Sequence, residues 1–243
     1  MPIFDPSVIP LSESDLPTPA FIAEVNNVID RLRATHIPLL PLGIGVDRTA
    51  NMIRTYMHAH LRRCLEFVDA GYAEYRAGRS LVTEACARTT YENVASFCDF
   101  ADTIVPLVRA GDQQKIHQYL DNAAFSTRIP SFLEKHGNDL SAKNILTQID
   151  KMKKRYPGFR EAYDHLSDFV HPNALGAIVH FVSIDNGVAT FHDTGRNDGW
   201  AISGLIAGCF MLAFVEVAIS QVEQAIEGML KAASDGASPL SEA

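Results

Sequence analysis

Apolar residues recur every three or four positions along most of this chain, the spacing that places them on one face of a helix. The pattern predicts helices over residues 20–34, 47–77, 80–109, 112–124, 130–135, 142–155 and 158–171. Asp47 and Ser80 are polar residues of the kind that cap helix N-termini, so we expect them to begin the second and third helices. Pro106 allows a kink in the third helix.

One segment departs from helical spacing. Residues 180–192 alternate between apolar and polar around Asn186-Gly187, a dipeptide typical of two-residue hairpin turns. Helical spacing then resumes over 199–233. The sequence therefore predicts an all-α fold, a helical bundle with a small β-hairpin insertion near 180–192. We expect a proline-rich, extended N-terminal arm over 1–19, a single helical domain over 20–233 and a flexible polar tail over 234–243.

Composition narrows the class of protein. The 243 residues are 47% hydrophobic, enough for a sizeable core, and the net charge of −8 argues against a surface that coats nucleic acid non-specifically. The four cysteines lie far apart and no secretory leader precedes them, so we expect reduced thiols and a cytoplasmic protein. Residues 199–215 carry no charge, and their glycines favour a buried core or homodimer helix over a membrane span.

The strongest candidate chemistry lies near the end of the helix over 158–171. Tyr163, Ser167 and His171 recur every four residues along one flank of this helix, and Pro172 ends it. A histidine at a helix C-terminus is favoured in its protonated form by the helix dipole. Arg160 shares the polar stripe. The alternative is structural, with His171 capping the helix and Ser167 bonding back to a carbonyl oxygen.

A second polar stripe runs along the helix over 80–109. Glu84, Arg88, Glu92 and Asp99 share one side of it, and Arg88 and Glu92 lie one turn apart. Alanines around this pair would let another helix approach closely and bury it. The alternative is an ordinary solvated charged face.

These two motifs together resemble an uncharacterised bacterial all-helical family. Its R-x-x-x-E helix is matched by Arg88 and Glu92, and its Y-x-x-x-S-x-x-x-H helix is matched by Tyr163, Ser167 and His171. The family is similar in layout to the HEPN superfamily of helical nucleotide- and RNA-handling domains. The resemblance covers about residues 48–171, and it implies that the Arg88–Glu92 pair faces the His171 helix across the bundle.

Active HEPN ribonucleases carry Arg-x(4–6)-His, a metal-independent site usually completed across a dimer. The chain matches this spacing three times, at Arg31–His36, Arg54–His60 and Arg160–His165, so the spacing alone is a weak signal. On one helix Arg160 and His165 would point about 140° apart. A site would therefore need Arg88 or a residue of a second protomer. The resemblance implies a protein that acts on RNA or nucleotides, as a metal-independent ribonuclease in a toxin or defence setting.

For such a ribonuclease we expect His171 to take the 2′-hydroxyl proton and Arg88 or Arg160 to stabilise the phosphorane, with Glu92, Tyr163 and Ser167 completing the site. A basic run would contact RNA, unless it only offsets a helix dipole: Lys151, Lys153, Lys154 and Arg155. We expect no metal and no cofactor. The main alternative is a non-catalytic interaction module whose polar cluster fixes helix register. A weaker one is a small-molecule sensor with a pocket under the loop over 36–46.

Overall fold

A computed structural model describes residues 3–7, 9, 17–35, 37, 39–41, 43–137, 140–192 and 199–236. These residues form an all-α bundle with one small antiparallel hairpin, which confirms the predicted fold class. The elements in chain order are α1 (Pro19–Ala34), α2 (Gly45–Arg76), α3 (Ser80–Arg109), α4 (Gln113–Ala124), α5 (Pro130–His136), α6 (Ile145–Arg155), α7 (Gly158–Val170), α8 (Ala174–Phe181), β1 (Val182–Asp185), β2 (Val188–Phe191), α9 (Gly199–Phe210) and α10 (Leu212–Gly236).

The starts of the two longest helices differ from the prediction. Helix α2 begins two residues before Asp47, which lies in its first turn, where a carboxylate still favours the positive end of the helix dipole. Ser80 is the first residue of α3 rather than its cap, and Arg79 takes the cap position without a side-chain hydrogen bond. Pro106 does not end α3, which continues through it to Arg109.

The chain turns sharply after α7. His171 follows α7 in extended conformation, so the predicted end of this helix is confirmed. The sequence did not reveal the next helix, α8, whose first turn is capped by Asn173 through a bond from the Gly176 amide. A Cβ at Gly176 would lie 2.0 Å from the carbonyl oxygen of His171, so only glycine allows this corner. Because α8 extends to residue 181, His180 lies on a helix and not on the predicted strand.

The hairpin has the predicted turn. Asn186 and Gly187 both have positive φ, which a two-residue type I′ turn requires. The amide of His192 donates to the carbonyl oxygen of Phe181 at 2.9 Å, the pairing that a two-residue turn at Asn186-Gly187 requires.

The apolar C-terminal segment forms two helices, α9 and α10, because the chain breaks at Met211. Its glycines pack inside the protomer: a Cβ at Gly204 would lie 2.9 Å from Leu166 of α7, and one at Gly208 would lie 3.1 Å from Tyr91 of α3. The stretch Gly199–Asp235 is long and apolar enough to cross a membrane, and 56% of its most apolar window is buried in the bundle.

The two ends of the chain add detail to the predicted arm and tail. In the arm, the backbone of Phe4 exchanges two hydrogen bonds with the Asn26 side chain of α1, and Phe4 and Ile9 are buried. Residues 234–236 of the predicted tail belong to α10, and residues 237–243 lie outside the described residues.

Helix α3 lies at the centre of the bundle. Helices α2, α6, α7, α9 and α10 all pack on it, and buried residues occur on every side of it. Its polar stripe of Glu84, Arg88, Glu92 and Asp99 is therefore not a solvated face, and that alternative was wrong. The two ends of the stripe meet different elements: Glu84 lies beside His180 of α8, and Asp99 contacts Lys151 of α6.

Candidate functional site

The middle of the α3 stripe forms a closed hydrogen-bonded cluster with α7. The guanidinium of Arg88 donates from Nη2 to the Tyr163 hydroxyl at 3.0 Å and lies 3.1 Å from Glu92 Oε1. The Tyr163 hydroxyl in turn donates to Glu92 Oε1 at 3.0 Å. Tyr163 is buried, whereas the side chains of Arg88 and Glu92 are 29% and 25% exposed. The cluster therefore joins two helices and still presents charge to an opening.

That opening is a cleft of about 760 Å³ between α2, α3, α4, the start of α6 and the segments around residues 126–128 and 141–143. We refer to it as the cleft. Its cationic side chains are Arg63, Arg88, Arg128 and Lys143, and its larger aromatic side chains are Tyr56, Phe100 and Tyr119.

Two of the cleft arginines have no carboxylate partner among the described residues. Arg63 donates from Nε to Asn93 Oδ1 at 2.9 Å, and its guanidinium carbon lies 5.2 Å from the centre of the Phe67 ring. Arg128 makes no hydrogen bond or ion pair with the part of the chain that the structure describes. Guanidinium groups in this state retain donors for a carboxylate or a phosphate.

A buried carboxylate, Asp99, lies at the base of the cleft. Lys143 donates to Asp99 Oδ2 at 2.7 Å, and Lys151 contacts Oδ1. Burial alone would raise the pKa of Asp99, but the hydrogen bonds from the two lysines outweigh it and hold the pKa below its usual value. The carboxylate is therefore ionised and neutralised from within, and it fixes Lys143 at the rim.

The aromatic side chains form one wall of the cleft. The Phe100 ring centre lies 4.9 Å from that of Tyr56 and 6.2 Å from that of Tyr119, and the Tyr56 and His60 ring centres lie 4.4 Å apart with their planes tilted. Burial and the charge of Arg63 lower the pKa of His60 below its usual value. Its imidazole is consequently neutral at pH 7 and is able to accept a proton.

The predicted catalytic residues divide into two groups. Arg88, Glu92 and Tyr163 come together at the cleft. His171 is exposed at the end of α7, about 12 Å along the helix axis from Tyr163, and it does not line the cleft. Ser167 donates to the carbonyl oxygen of Tyr163 at 2.8 Å, as the structural alternative expected.

The remaining predicted cations are mostly paired with carboxylates. Arg160 bonds Asp150 and Asp164, and it lies outside the cleft. The basic run behaves similarly, through three partners: Lys151 contacts Asp99, Lys153 lies 3.7 Å from Glu161, and Arg155 contacts Asp102. Lys154 is exposed, and no described residue pairs with it. This run is therefore not a patch of free positive charge.

In two of the three Arg-x(4–6)-His matches, the arginine and the histidine do not pair. Arg54 binds Glu223 of α10, while His60 lines the cleft. His165 packs on Phe169 with ring centres 4.8 Å apart, away from Arg160. Arg31 binds Glu216, and its partner in the third match, His36, lies outside the described residues.

The N-terminal end of the α3 stripe is sealed. Glu84 Oε2 lies 2.9 Å from His180 Nε2, and the two side chains are 1% and 0% exposed. Helix α8 covers this pair, and the hairpin follows directly from it.

All four cysteines are free and buried, and burial raises the pKa of Cys64 to about 12 and that of Cys98 to about 11. These thiols are therefore protonated and unreactive at neutral pH.

Sequence spacing could not reveal most of the cleft, because its side chains come from α2, α3, α4, α6 and two loops. No sequence motif indicates the aromatic wall or the other main side chains of the cleft, which are Arg63, Asn93, Arg128 and Lys143. His60 belongs to the weak Arg54–His60 match, which does not indicate the cleft. Within the described residues, no three histidine, cysteine, aspartate or glutamate side chains lie close enough together to hold a metal ion.

Comparisons with known proteins identify no relative of this chain. No protein-family model matches it, and neither does any curated protein or solved structure.

Proposed function

We propose that this chain is a HEPN-like helical protein that binds RNA or nucleotides in the cleft and acts on them without a metal ion. The observation that carries the proposal is the pair Arg63 and Arg128, two guanidinium groups that line a polar cleft and lack a carboxylate partner among the described residues. The toxin or defence setting belongs to the same proposal and rests on the family resemblance alone. The cytoplasmic location and the homodimer also belong to it and rest on the sequence.

Charge favours a phosphate-bearing ligand. The protein carries a net charge of −8, and most of the arginines discussed above are bonded to carboxylates. The cleft departs from that pattern. Its acids Glu92 and Asp99 are paired with Arg88 and Lys143, so no cleft carboxylate is left to balance its free guanidinium groups. Guanidinium groups bind phosphate oxygens through charge-assisted hydrogen bonds.

The aromatic wall favours a nucleobase on the same ligand. Tyr56, Phe100 and Tyr119 line the cleft, and Lys143 Nζ lies 5.7 Å from the centre of the Tyr119 ring. Every base has a π-face, so stacking on such side chains binds nucleotides with little regard to sequence. A ligand with a base and a phosphate would use both parts of the cleft.

Metal-independent cleavage of RNA needs a base near neutral pH and a cation for the charge that develops on phosphorus. His60 and Arg88 both line the cleft and have the required chemistry. The role predicted for His171 requires that a second protomer bring this residue to the cleft, and it stays a prediction.

A matched pair of arginines tests binding. Arg63 lines the cleft, and its neighbour Arg62 is exposed on the same helix outside it. We expect Arg63→Ala to weaken binding of single-stranded RNA and of nucleotides by about tenfold, the effect of losing about 1.4 kcal/mol. Arg62→Ala should bind as the wild type does, and calorimetry or fluorescence anisotropy would measure both. Equal losses in the two variants would refute the proposal.

Cleavage is tested separately, on structured and unstructured RNA in EDTA. We expect wild type to cleave and His60→Ala not to, with both proteins equally folded by circular dichroism. Loss of cleavage in His171→Ala would instead place the reaction at a dimer interface. Cleavage that persists in both histidine variants would exclude either residue as the base.

The non-catalytic module remains the second candidate. The closed ring of Arg88, Tyr163 and Glu92 favours it, because these bonds join α3 to α7 without any ligand. If wild type binds neither RNA nor nucleotides, that result would support this candidate over the first.

A further inference from the structure

Two buried hydrogen-bond donors of the cleft lack a partner among the described residues. They are Nδ2 of Asn93, a side chain that is 5% exposed, and Nε of Arg88. Both residues line the cleft. Buried donors without an acceptor are rare in proteins, because burial removes the water that would otherwise satisfy them.

The orientation of the Asn93 amide follows from its neighbour. A guanidinium group can only donate, so the Asn93 atom that Arg63 Nε contacts at 2.9 Å is the carbonyl oxygen. The amide nitrogen therefore occupies the other position, where it has no acceptor. Arg63 thus holds Asn93 in one orientation.

Arg88 is held in a similar way. Its Nη2 atom donates to the Tyr163 hydroxyl and lies beside Glu92, which fixes the plane of the guanidinium group. The Nε–H of the same plane is left over. Arg88 and Asn93 lie five residues apart on α3, about 7.5 Å along its axis and about 140° around it, so the free donor of Arg88 belongs to a different part of the cleft.

Asn93 Nδ2 and Arg88 Nε are both donors, so each of them fits a ligand atom that accepts a hydrogen bond. The neighbouring guanidinium of Arg63 adds positive charge, which favours an anion. Glu92 and Asp99 already have their own partners. A phosphate group suits this arrangement because its oxygens accept from several directions at once.

We propose that Asn93 Nδ2 and the Arg63 guanidinium form a subsite for one phosphate group. The inference rests on the proposed function and names the part of the RNA or nucleotide that this end of the cleft holds. Phe100 lies seven residues farther along α3, about 10 Å from Asn93 along the axis. A phosphate at Asn93 therefore leaves the attached nucleoside directed at the aromatic wall.

Asn93→Asp is the sharpest test variant. It keeps an oxygen that accepts from Arg63 and replaces the free donor with an acceptor of nearly the same shape. Asn122→Asp is the matched control, because Asn122 also lines the cleft and the substitution adds the same negative charge. Calorimetric titrations would use inorganic phosphate, AMP and one RNA oligonucleotide made with and without a 5′-phosphate.

We expect Asn93→Asp to weaken binding of every phosphate probe that wild type binds by more than tenfold, and Asn122→Asp to weaken it much less. Arg63→Lys keeps the charge but loses the planar guanidinium whose Nε–H fixes the Asn93 amide, so it should show a loss similar to that of Asn93→Asp. Arg63→Lys decides the matter if Asn93→Asp does not fold. Equal losses in the two asparagine variants would overturn the subsite, since charge alone would then explain them.

The probes distinguish the source of the phosphate and the failure of each proposal. Asn93-dependent binding of AMP and inorganic phosphate supports a terminal phosphate, and dependence seen only with RNA supports a backbone phosphate. If RNA or nucleotide binding needs Arg63 but not Asn93, the subsite is wrong and the proposed function stands. If inorganic phosphate binding needs Asn93 and neither RNA nor AMP binds, the subsite stands and the proposed function fails. If wild type binds no probe, both fail.

Discussion

Two acid–base pairs on one polar stripe of α3 lie in opposite environments. Glu84 and His180 are 1% and 0% exposed, whereas Arg88 and Glu92 are 29% and 25% exposed beside the cleft. The sealed pair holds α8 and the hairpin against α3. The open pair holds α7 and lines a cavity able to take a ligand.

The difference comes from what covers each turn of α3. Helix α8 closes over Glu84 and removes water from the pair. The Glu84 carboxylate and the His180 imidazole therefore compensate each other for part of their lost hydration. Helix α7 contacts Arg88 through Tyr163, but within the described residues the Arg88 side chain stays 29% exposed and lines the cleft. A charge pattern along a helix therefore identifies a polar stripe but does not distinguish structural pairs from ligand-binding ones.

Truncating the sealed acid should have the largest effect. We expect Glu84→Ala to lower the free energy of unfolding by about 3–5 kcal/mol, because it leaves His180 buried without its carboxylate. Glu92→Ala, in the open pair beside the cleft, should lower the free energy of unfolding by only about 1 kcal/mol. Urea unfolding followed by circular dichroism would measure both. Similar losses would show that the two pairs do not differ as described.

The corner that positions α8 offers the next test. We expect Gly176→Ala to cost about 1–3 kcal/mol, since its Cβ would meet the carbonyl oxygen of His171 at 2.0 Å and force the backbone to move. Gly228→Ala is the control, because a Cβ there meets nothing within 4 Å and alanine favours helix α10. Thermal melts of both variants would show a lower midpoint for Gly176→Ala alone, and unchanged midpoints would contradict this account of the corner.

His60, which lines the cleft from α2, should have a smaller, pH-dependent effect on the free energy of unfolding. Burial and Arg63 lower the pKa of His60 in the folded state, so the unfolded chain binds its proton more readily. His60 therefore supports folding fully above its unfolded pKa of about 6.5, and that support falls as pH drops toward the folded pKa. Unfolding free energies at pH 7.5 and 5.5 should differ more for wild type than for His60→Gln. Equal differences would refute this assignment.

The sequence predicted the helices well because their apolar faces are regular and long. It also predicted the hairpin, where Asn186-Gly187 requires positive φ at both positions. It missed α8, an eight-residue apolar helix whose place depends on Gly176 fitting against a carbonyl group. Residues of the cleft were mostly missed for a related reason: Arg63, Asn93 and Arg128 meet only after folding.

The same contrast applies to the predicted site. Arg88, Glu92 and Tyr163 meet because each faces its partner across two packed helices. His171 has the right spacing from Tyr163 but lies two turns farther along α7, beyond the cleft. Spacing along a helix predicts a shared side, and it does not predict how far a cavity extends along that side.

The salt dependence of RNA binding tests the central claim most directly, namely that the cleft arginines without acid partners bind phosphate. We would measure the dissociation constant of single-stranded RNA over a range of salt concentrations for wild type and for the Arg63→Ala, Arg128→Ala double variant. The account predicts that the slope of log affinity against log salt becomes shallower by about 0.7 for each arginine removed. An unchanged slope would mean that the cleft does not contact phosphate and would contradict the account.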